Sequence, residues 1–236
     1  DNNLGGLENL SLIPGNVGTA PIQNIGAYGV EVKDHLESIE AVDLKDNSLK
    51  IFSAEECKFA YRDSIFKSAA KGRFLIVKVT FRLRQRNHKL RMDYGAIKAE
   101  LNQRELEPNI HNISQAIIAI RSRKLPNPAE IGNSGSFFKN PVVSQEQYLE
   151  LKAKFPEIVA YPATNQQMKL AAGWLIEKAG WKGFRRGDAG VHNKQALVRV
   201  NYGSAKGAEI KFLAEEILHS IYSTLAVQLE MEVNLI

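Results

Sequence analysis

The 236-residue chain has one cysteine, Cys57. A single thiol allows no intrachain disulfide and no cysteine-based metal site, so a reducing, cytoplasmic setting is expected. No apolar run approaches the roughly 20 residues that a membrane helix needs, and no membrane partner is expected. The histidines, His35, His88, His111, His192 and His219, form no HxxxH or HExxH pair, which argues against a metal site. Gly-Lys-Ser/Thr, the GxGxxG spacing after a strand and the GxSxG elbow are all missing, excluding a P-loop, a Rossmann turn and the usual serine-hydrolase turn. The opening Asp1-Asn2-Asn3-Leu4-Gly5-Gly6 lacks a Met, a basic stretch and an apolar core. It is not a secretory signal and reads as a boundary rather than a natural beginning.

What is present is ordinary for a soluble domain: 44% hydrophobic and 24% charged residues. The length suits one large domain or two modest ones. The net charge of +5 mildly favours anionic partners such as nucleotides or phosphosugars. The basic stretch Arg82, Arg84, Arg86, Lys89, Arg91 has no interleaved aromatic to stack a base, so it reads as a solvated strand end, and nucleic acid is not expected. A salt-sensitive nucleic-acid module built on it is the more remote rival.

Residues 5–31 are dense in Gly, Pro, Asn and Ala, which means tight turns rather than a regular helix. Leu36–Leu44 and Leu49–Phe52 read as strands around a turn at Lys45-Asp46-Asn47. Ser53 and Glu56 have capping-box spacing and predict a short helix. Arg73–Leu83 predicts a strand with Leu75, Val77, Val79, Phe81 and Leu83 on one face and Lys78, Thr80 and Arg82 on the other. Helical periodicity covers Ile113–Ile120. Leu125-Pro126-Asn127-Pro128 must be extended and marks a domain boundary. Ser144 and Gln147 predict a second capped helix. Asn165–Lys178 reads as a helix stopped at Gly180, and Ala196–Tyr202 as a strand. Glu209–Val227 reads as an amphipathic helix with Phe212, Leu213, Ile217, Ile221 and Leu225 inward. The chain end alternates Leu229, Met231, Val233, Leu235 with Glu230, Glu232, Asn234, a strand pattern.

Four constellations stand out. The Gly-rich segment could bring backbone amides to a phosphate or a planar ring; by composition alone it is a surface loop. In Tyr61-Arg62-Asp63-Ser64 the guanidinium could clamp a carboxylate bidentately; alone it is a surface pair. In Asn133-Ser134-Gly135-Ser136-Phe137-Phe138-Lys139-Asn140-Pro141 a small-residue turn holds Ser136 out, as a nucleophile, a proton donor or simply a turn serine. The polar face of the terminal strand carries Glu230 and Glu232, reaching a site or merely wet.

In this order the blocks resemble the UDP-N-acetylenolpyruvoylglucosamine reductase family. The matching strings include Gly6-Leu7-Glu8-Asn9, Ile13-Pro14-Gly15-Asn16-Val17-Gly18, Pro21-Ile22-Gln23-Asn24-Ile25-Gly26-Ala27-Tyr28-Gly29, Tyr61 to Ser64, Gly135 to Pro141, Leu170 to Ile176 and Gln195-Ala196-Leu197-Val198. The resemblance implies an α+β fold. Residues 1–124 would be the second half of an FAD-binding domain and 125–226 a substrate domain, with 227–236 returning to the flavin side. It implies an enzyme that uses FAD, with NADPH as reductant, to reduce UDP-N-acetylglucosamine enolpyruvate in peptidoglycan precursor synthesis, working as a monomer. Ser136 matches the proton donor, assisted by Lys139 or water. Arg62 matches the arginine on the enolpyruvyl carboxylate, and Glu232 the catalytic glutamate. Tyr94, Arg121, Lys124, Asn140 and Gln195 match substrate contacts, with Lys124 at the diphosphate, and Tyr161 matches a loop tyrosine that closes over substrate. Pro14, Gly15, Gly18, Thr19, Gln23, Gly26 and Tyr28 match the flavin site. Two departures stand out: the family's N-terminal region is absent, and Met231 replaces the proline usual between the two terminal acids. A relative that binds a nucleotide sugar without flavin is the alternative.

Overall fold

A computed structural model describes residues 2–94 and 96–235. The chain forms two compact units, Asp1–Arg121 and Ser122–Ile236, and mixes helices with antiparallel sheets in an α+β arrangement. Among the described residues no helix is long and apolar enough to cross a membrane.

In the first unit the Gly-rich segment folds into short turns of 3-10 helix and a tight hairpin of β1 (Gly26–Ala27) and β2 (Val30–Glu31). A three-stranded antiparallel sheet comes next, built from β3 (Leu36–Asp43), β4 (Leu49–Ser53) and β5 (Phe74–Phe81), with β3 in the middle. Its inner face packs Ile39, Ala41, Phe52, Phe74, Ile76 and Val79 around Cys57 and Phe66. Helices α1 (Ile97–Gln103) and α2 (Ile110–Lys124) bury Ile97, Leu101, Ile113, Ile117 and Ile120 in a separate cluster.

The expected β3–β4 hairpin and the cap geometry at Ser53 and Glu56 are present; the two residues exchange bonds of 2.8 and 3.2 Å. The chain beyond Ser53 makes a run of turns there rather than a helix. The single-faced β5 is corrected too. Glu40 pairs with Lys78 and Ala41 with Ile76, leaving Val77 as an extra residue. Such a bulge shifts the alternation by one and exchanges the faces. Phe74 and Ile76 therefore point inward with Val79 and Phe81, while Leu75 and Val77 are exposed.

The second unit carries a four-stranded antiparallel sheet in the order β10 (Arg185–Arg186), β11 (Ala189–Val191), β12 (Val198–Asn201), β6 (Gly132–Ser136). A smaller sheet joins β7 (Val142–Val143), β9 (Met168–Leu170) and β8 (Ala160–Pro162). Helices α3 (Gln145–Lys154), α4 (Ala172–Lys178) and α5 (Gly207–Leu225) complete it. One large apolar core runs through both sheets and α4 and α5, including Phe137, Phe138, Leu170, Leu175, Leu213, Ile217 and Ile221.

Ser144 caps α3 as expected, accepting the Gln147 amide at 3.1 Å. The helix expected over Asn165–Lys178 is instead β9 followed by α4, because the 168–170 backbone is taken up by pairing with β7 and β8. On α5, Leu213, Ile217, Ile221 and Leu225 are buried, but Phe212 is 56% exposed and lies against Arg186 instead. The expected terminal strand is reduced to an isolated bridge, Phe138 to Met231. Two more backbone bonds extend it: Lys139 N–H to Glu230 O and Glu232 N–H to Phe137 O, both 2.9 Å. Val227 and Leu229 anchor this segment in the core of the second unit.

Candidate active site

Ser136 is the last residue of β6, and a local irregularity sets its exposure. Val198 pairs with Ser136 and Val200 with Asn133, so Ser134 and Gly135 together stand opposite Arg199. Gly135 adopts φ +74°, a left-handed backbone that a side chain resists, and its amide is held by Asn133 Oδ1 at 3.1 Å. Ser136 is exposed, while the next two residues, Phe137 and Phe138, plunge into the core. The Glu232 amide donates to Phe137 O at 2.9 Å, fixing the Glu232 backbone alongside Phe137, just past the end of β6.

Lys139 or water is the expected helper of Ser136. The Lys139 ammonium is engaged elsewhere, donating to Glu230 Oε1 at 2.6 Å. Asn140 plays a structural part, since its Oδ1 accepts the Ala172 amide at 2.9 Å and caps α4. A side chain at Gly173 would meet Gln195 Oε1 at 3.5 Å, so Asn140 and Gln195 both border the first turn of α4. Tyr161 stands in the small sheet opposite Lys169. Lys124 is exposed at the end of α2.

In the first unit, Arg62 has a left-handed backbone at φ +54° and reaches back to the hairpin, donating from Nη2 to Gly26 O at 2.6 Å. Gly26 has no room for a side chain: a Cβ there would meet Glu31 Cγ at 2.9 Å and Arg62 Nη1 at 3.0 Å. Tyr28 and Arg121 face each other. Burial raises the Tyr28 phenol, and Arg121 counters it; burial lowers the Arg121 guanidinium, and Tyr28 counters that. Tyr94 sits against Gly29, where a Cβ would touch its ring edge at 3.7 Å.

Pro14, Gly15 and Thr19 are exposed, and Gly18 and Gln23 half-buried. Gly15 takes φ +113°. Among the described residues, the amides of Gly15 and Asn16 have no partner within the chain. An exposed turn with open amides fits a phosphate or a flavin carbonyl.

Several signals resolve into structure. Cys57 is buried and its thiol is pushed up to about 12, first by burial and then by Glu56, which leaves it inert. Arg82 is bound to Glu37 at 2.9 Å. An open cavity of about 690 Å³ lies at the ends of β3 and β5, lined by Asp34, Glu37, Glu55, Arg82 and Arg84 among others; none of the candidate residues lines it. Three buried polar residues have no role of their own in the sequence reading. Asn9 binds Tyr28 O and Arg91 O at 2.8 and 2.9 Å. Asn24 binds Ala60 O at 3.0 Å. Arg199 is only 1% exposed, and its signal was a lone cation between two valines of a buried strand.

Known proteins resemble this chain in sequence and in fold. The family described as UDP-N-acetylenolpyruvoylglucosamine reductase, C-terminal domain, matches residues 127–236. A solved UDP-N-acetylenolpyruvylglucosamine reductase from Thermus caldophilus resembles 98% of this chain and 64% of its own length, with TM-score 0.63 and 24% identity, a likeness of fold. The UDP-N-acetylenolpyruvoylglucosamine reductase of Flavobacterium johnsoniae is 51% identical over 237 residues, covering all of this chain and 70% of the relative. The Pseudomonas fluorescens protein of the same name is 55% identical over 230 residues, 97% of this chain and 67% of the relative. The chain belongs to the UDP-N-acetylenolpyruvoylglucosamine reductase family. It spans about two thirds of the length of the relatives it matches.

Proposed function

We propose that the protein reduces the enolpyruvyl ether of UDP-N-acetylenolpyruvoylglucosamine to the lactyl ether of UDP-N-acetylmuramate, a cytoplasmic step of cell-wall precursor synthesis. The observation that supports this reading is the pairing of Phe137–Lys139 with residues 230–232, in which the Glu232 amide donates to Phe137 O, one residue from Ser136, at 2.9 Å. Bound FAD, recharged by NADPH, would supply the hydride to the terminal carbon of the enolpyruvyl group. The adjacent carbon then carries negative charge shared with the carboxylate. Ser136 Oγ–H delivers the proton to that carbon. A serine is a weak acid, so its role depends on placement and on stabilisation of the charge it neutralises. Arg62 holds the carboxylate with its planar fork, and Glu232 orients the proton path. Pro14, Gly15, Gly18, Thr19, Gln23, Gly26 and Tyr28 are assigned to the flavin, with the open amides of Gly15 and Asn16 as its donors. Tyr94, Arg121, Lys124, Asn140, Tyr161 and Gln195 are assigned to the nucleotide sugar. On this reading Arg121 and Tyr28, already facing each other, join the substrate and flavin contacts.

The test separates the two half-reactions. In the flavin-loaded protein, Ser136→Ala is expected to bleach normally with NADPH yet to reoxidise with the enolpyruvyl substrate at least about a thousandfold more slowly, in the upper part of the general acid–base range. Equal loss of both half-reactions, or of neither, removes Ser136 from the role. A purified protein without flavin absorbance, and unable to take up added FAD, sinks the reading as a whole.

A further inference from the structure

Arg199 lies in β12, with Val198 and Val200 fully buried on either side. It faces the two-residue bulge Ser134–Gly135 that precedes Ser136. Its Nη1 donates to Ala196 O at 2.8 Å. Its Cζ lies 5.0 Å from the centre of the Phe138 ring. Nε and Nη2, the edge of the guanidinium that usually grips a carboxylate side-on, have no partner. A buried cation with two open donors is costly, and an apolar side chain of similar length would usually serve stability as well or better. A purely structural account therefore leaves its presence unexplained. Its contacts indicate another. Phe138 is two residues from Ser136. The backbone between them is bonded on one side to Leu197 O, from Phe137 N–H, and on the other to the Glu232 amide, both at 2.9 Å.

We propose that Arg199 is a positioning residue: its guanidinium, lying over the Phe138 ring, holds the strand, bulged opposite Arg199 at Ser134–Gly135, that sets Ser136 and Glu232 relative to each other. A bulge re-aims the side chain that comes after it. A one-residue relaxation of this bulge would turn Ser136 to the opposite face. The cation on the ring resists that slip by fixing Phe138 in the core. The inference rests on the reductase reading only for its catalytic consequence.

The test uses Arg199→Met and Arg199→Lys in the flavin-loaded protein. Met fills the volume without charge; Lys keeps the charge but not the planar guanidinium. For Arg199→Met, amide hydrogen exchange at Phe137, Lys139 and Glu232 is expected to quicken about tenfold or more, with the thermal midpoint unchanged or raised. Reoxidation of reduced flavin by the enolpyruvyl substrate slows about ten- to a hundredfold at nearly constant KM, as for a misplaced catalytic group, while reduction by NADPH keeps its rate. Arg199→Lys falls between Met and wild type. Unchanged exchange at those three amides overturns the proposal, whatever the turnover. So does a lowered thermal midpoint with both half-reactions reduced alike, the mark of a merely structural residue, and so does a Lys variant equal to wild type. If the wild-type protein turns over no enolpyruvyl sugar, the reductase reading fails, and the exchange rates still decide the role of Arg199.

Discussion

In the first unit the buried polar side chains are Asn9, Asn24, Asp43, Ser64 and Glu100; in the second they are His192 and Arg199. The first set is bonded into its surroundings, apart from Asn9 Oδ1, which has no partner. Asp43 receives Arg73 and Lys50 at 2.8 and 2.9 Å, Glu100 receives Arg104 at 2.7 Å, and Ser64 donates to Ile22 O at 2.6 Å. The second set is not. His192 Nδ1 and two Arg199 nitrogens lack partners, and both groups titrate below their ordinary range because burial disfavours their charge, with Arg199 brought down to about 9. The first unit has two small apolar clusters, and its loops are tied by polar bonds. The second has one large core that can tolerate an unsatisfied cation. Buried polar groups thus hold the fold in one unit. In the other they exact a stability cost, and one of them adjoins the candidate proton donor.

The largest effect belongs to the apolar core of the second unit. Ile217 is fully buried in the large core, so Ile217→Ala should cost about 3–4 kcal/mol in urea unfolding, from lost transfer energy and the cavity left behind. A loss below about 1 kcal/mol would mean that this core relaxes freely, and the contrast with the first unit would go. At the polar end, Asn24→Ala removes bonds to Ala60 O, Glu31 Oε2 and the Lys33 amide, 3.0 to 3.1 Å long. It also leaves alanine at φ +43°. The expected cost is about 2–3 kcal/mol, from three lost bonds to part-buried partners and the strained alanine backbone. A neutral result would show that water replaces these bonds and that the first unit is not held as argued.

Acid sharpens the same contrast. The Asp43 carboxyl is held well below the usual range, first by the Arg73 hydrogen bond and then by that from Lys50. A depressed folded pKa gives stability that is fully present above the unfolded value, near about 4 for aspartate. That stability is lost as pH falls from there through the folded value. Urea midpoints should therefore drop below about pH 4, and Asp43→Asn should lower the midpoint at neutral pH while flattening this acid limb. An unchanged acid limb in Asp43→Asn would assign the loss to other carboxylates.

Local patterns were legible where one force dominates. The β3–β4 hairpin could be read from alternation and a polar turn, the Ser144 cap from its spacing to Gln147, and the buried stripe of α5 from its period. The β5 faces could not, because Phe74 to Val77 is apolar at every position and either register buries something; only pairing with β3 places the bulge. Residues 168–170 misled for a similar reason, since Met-Lys-Leu suits helix or strand and the two flanking strands decide. At the candidate site, the exposure of Ser136 was foreshadowed by Gly135, a residue suited to the left-handed turn that precedes it. The alignment of Glu232 with Phe137 was not, because it depends on pairing between segments about 90 residues apart in sequence. Arg199 was visible as a letter, but its meaning depends on the ring beneath it.

Asn140 carries the smallest expected effect and the finest distinction. Resemblance assigns it to the nucleotide sugar; geometry gives its Oδ1 to the Ala172 amide at the start of α4. Asn140→Ala should lower stability by about 1 kcal/mol, the usual worth of a lost cap. Asn140→Asp keeps the acceptor oxygens, and a carboxylate is at least as good a cap as an amide. Its unfolding midpoint should therefore match the wild type. The amide donors are gone in both variants, so a substrate contact through Nδ2 would weaken binding in both. The two roles then separate cleanly. If Asp restores the midpoint while KM stays raised in both variants, one side chain serves cap and substrate through its two different atoms. If Asp restores both, Asn140 is a cap alone, and the second unit positions its substrate contacts without it.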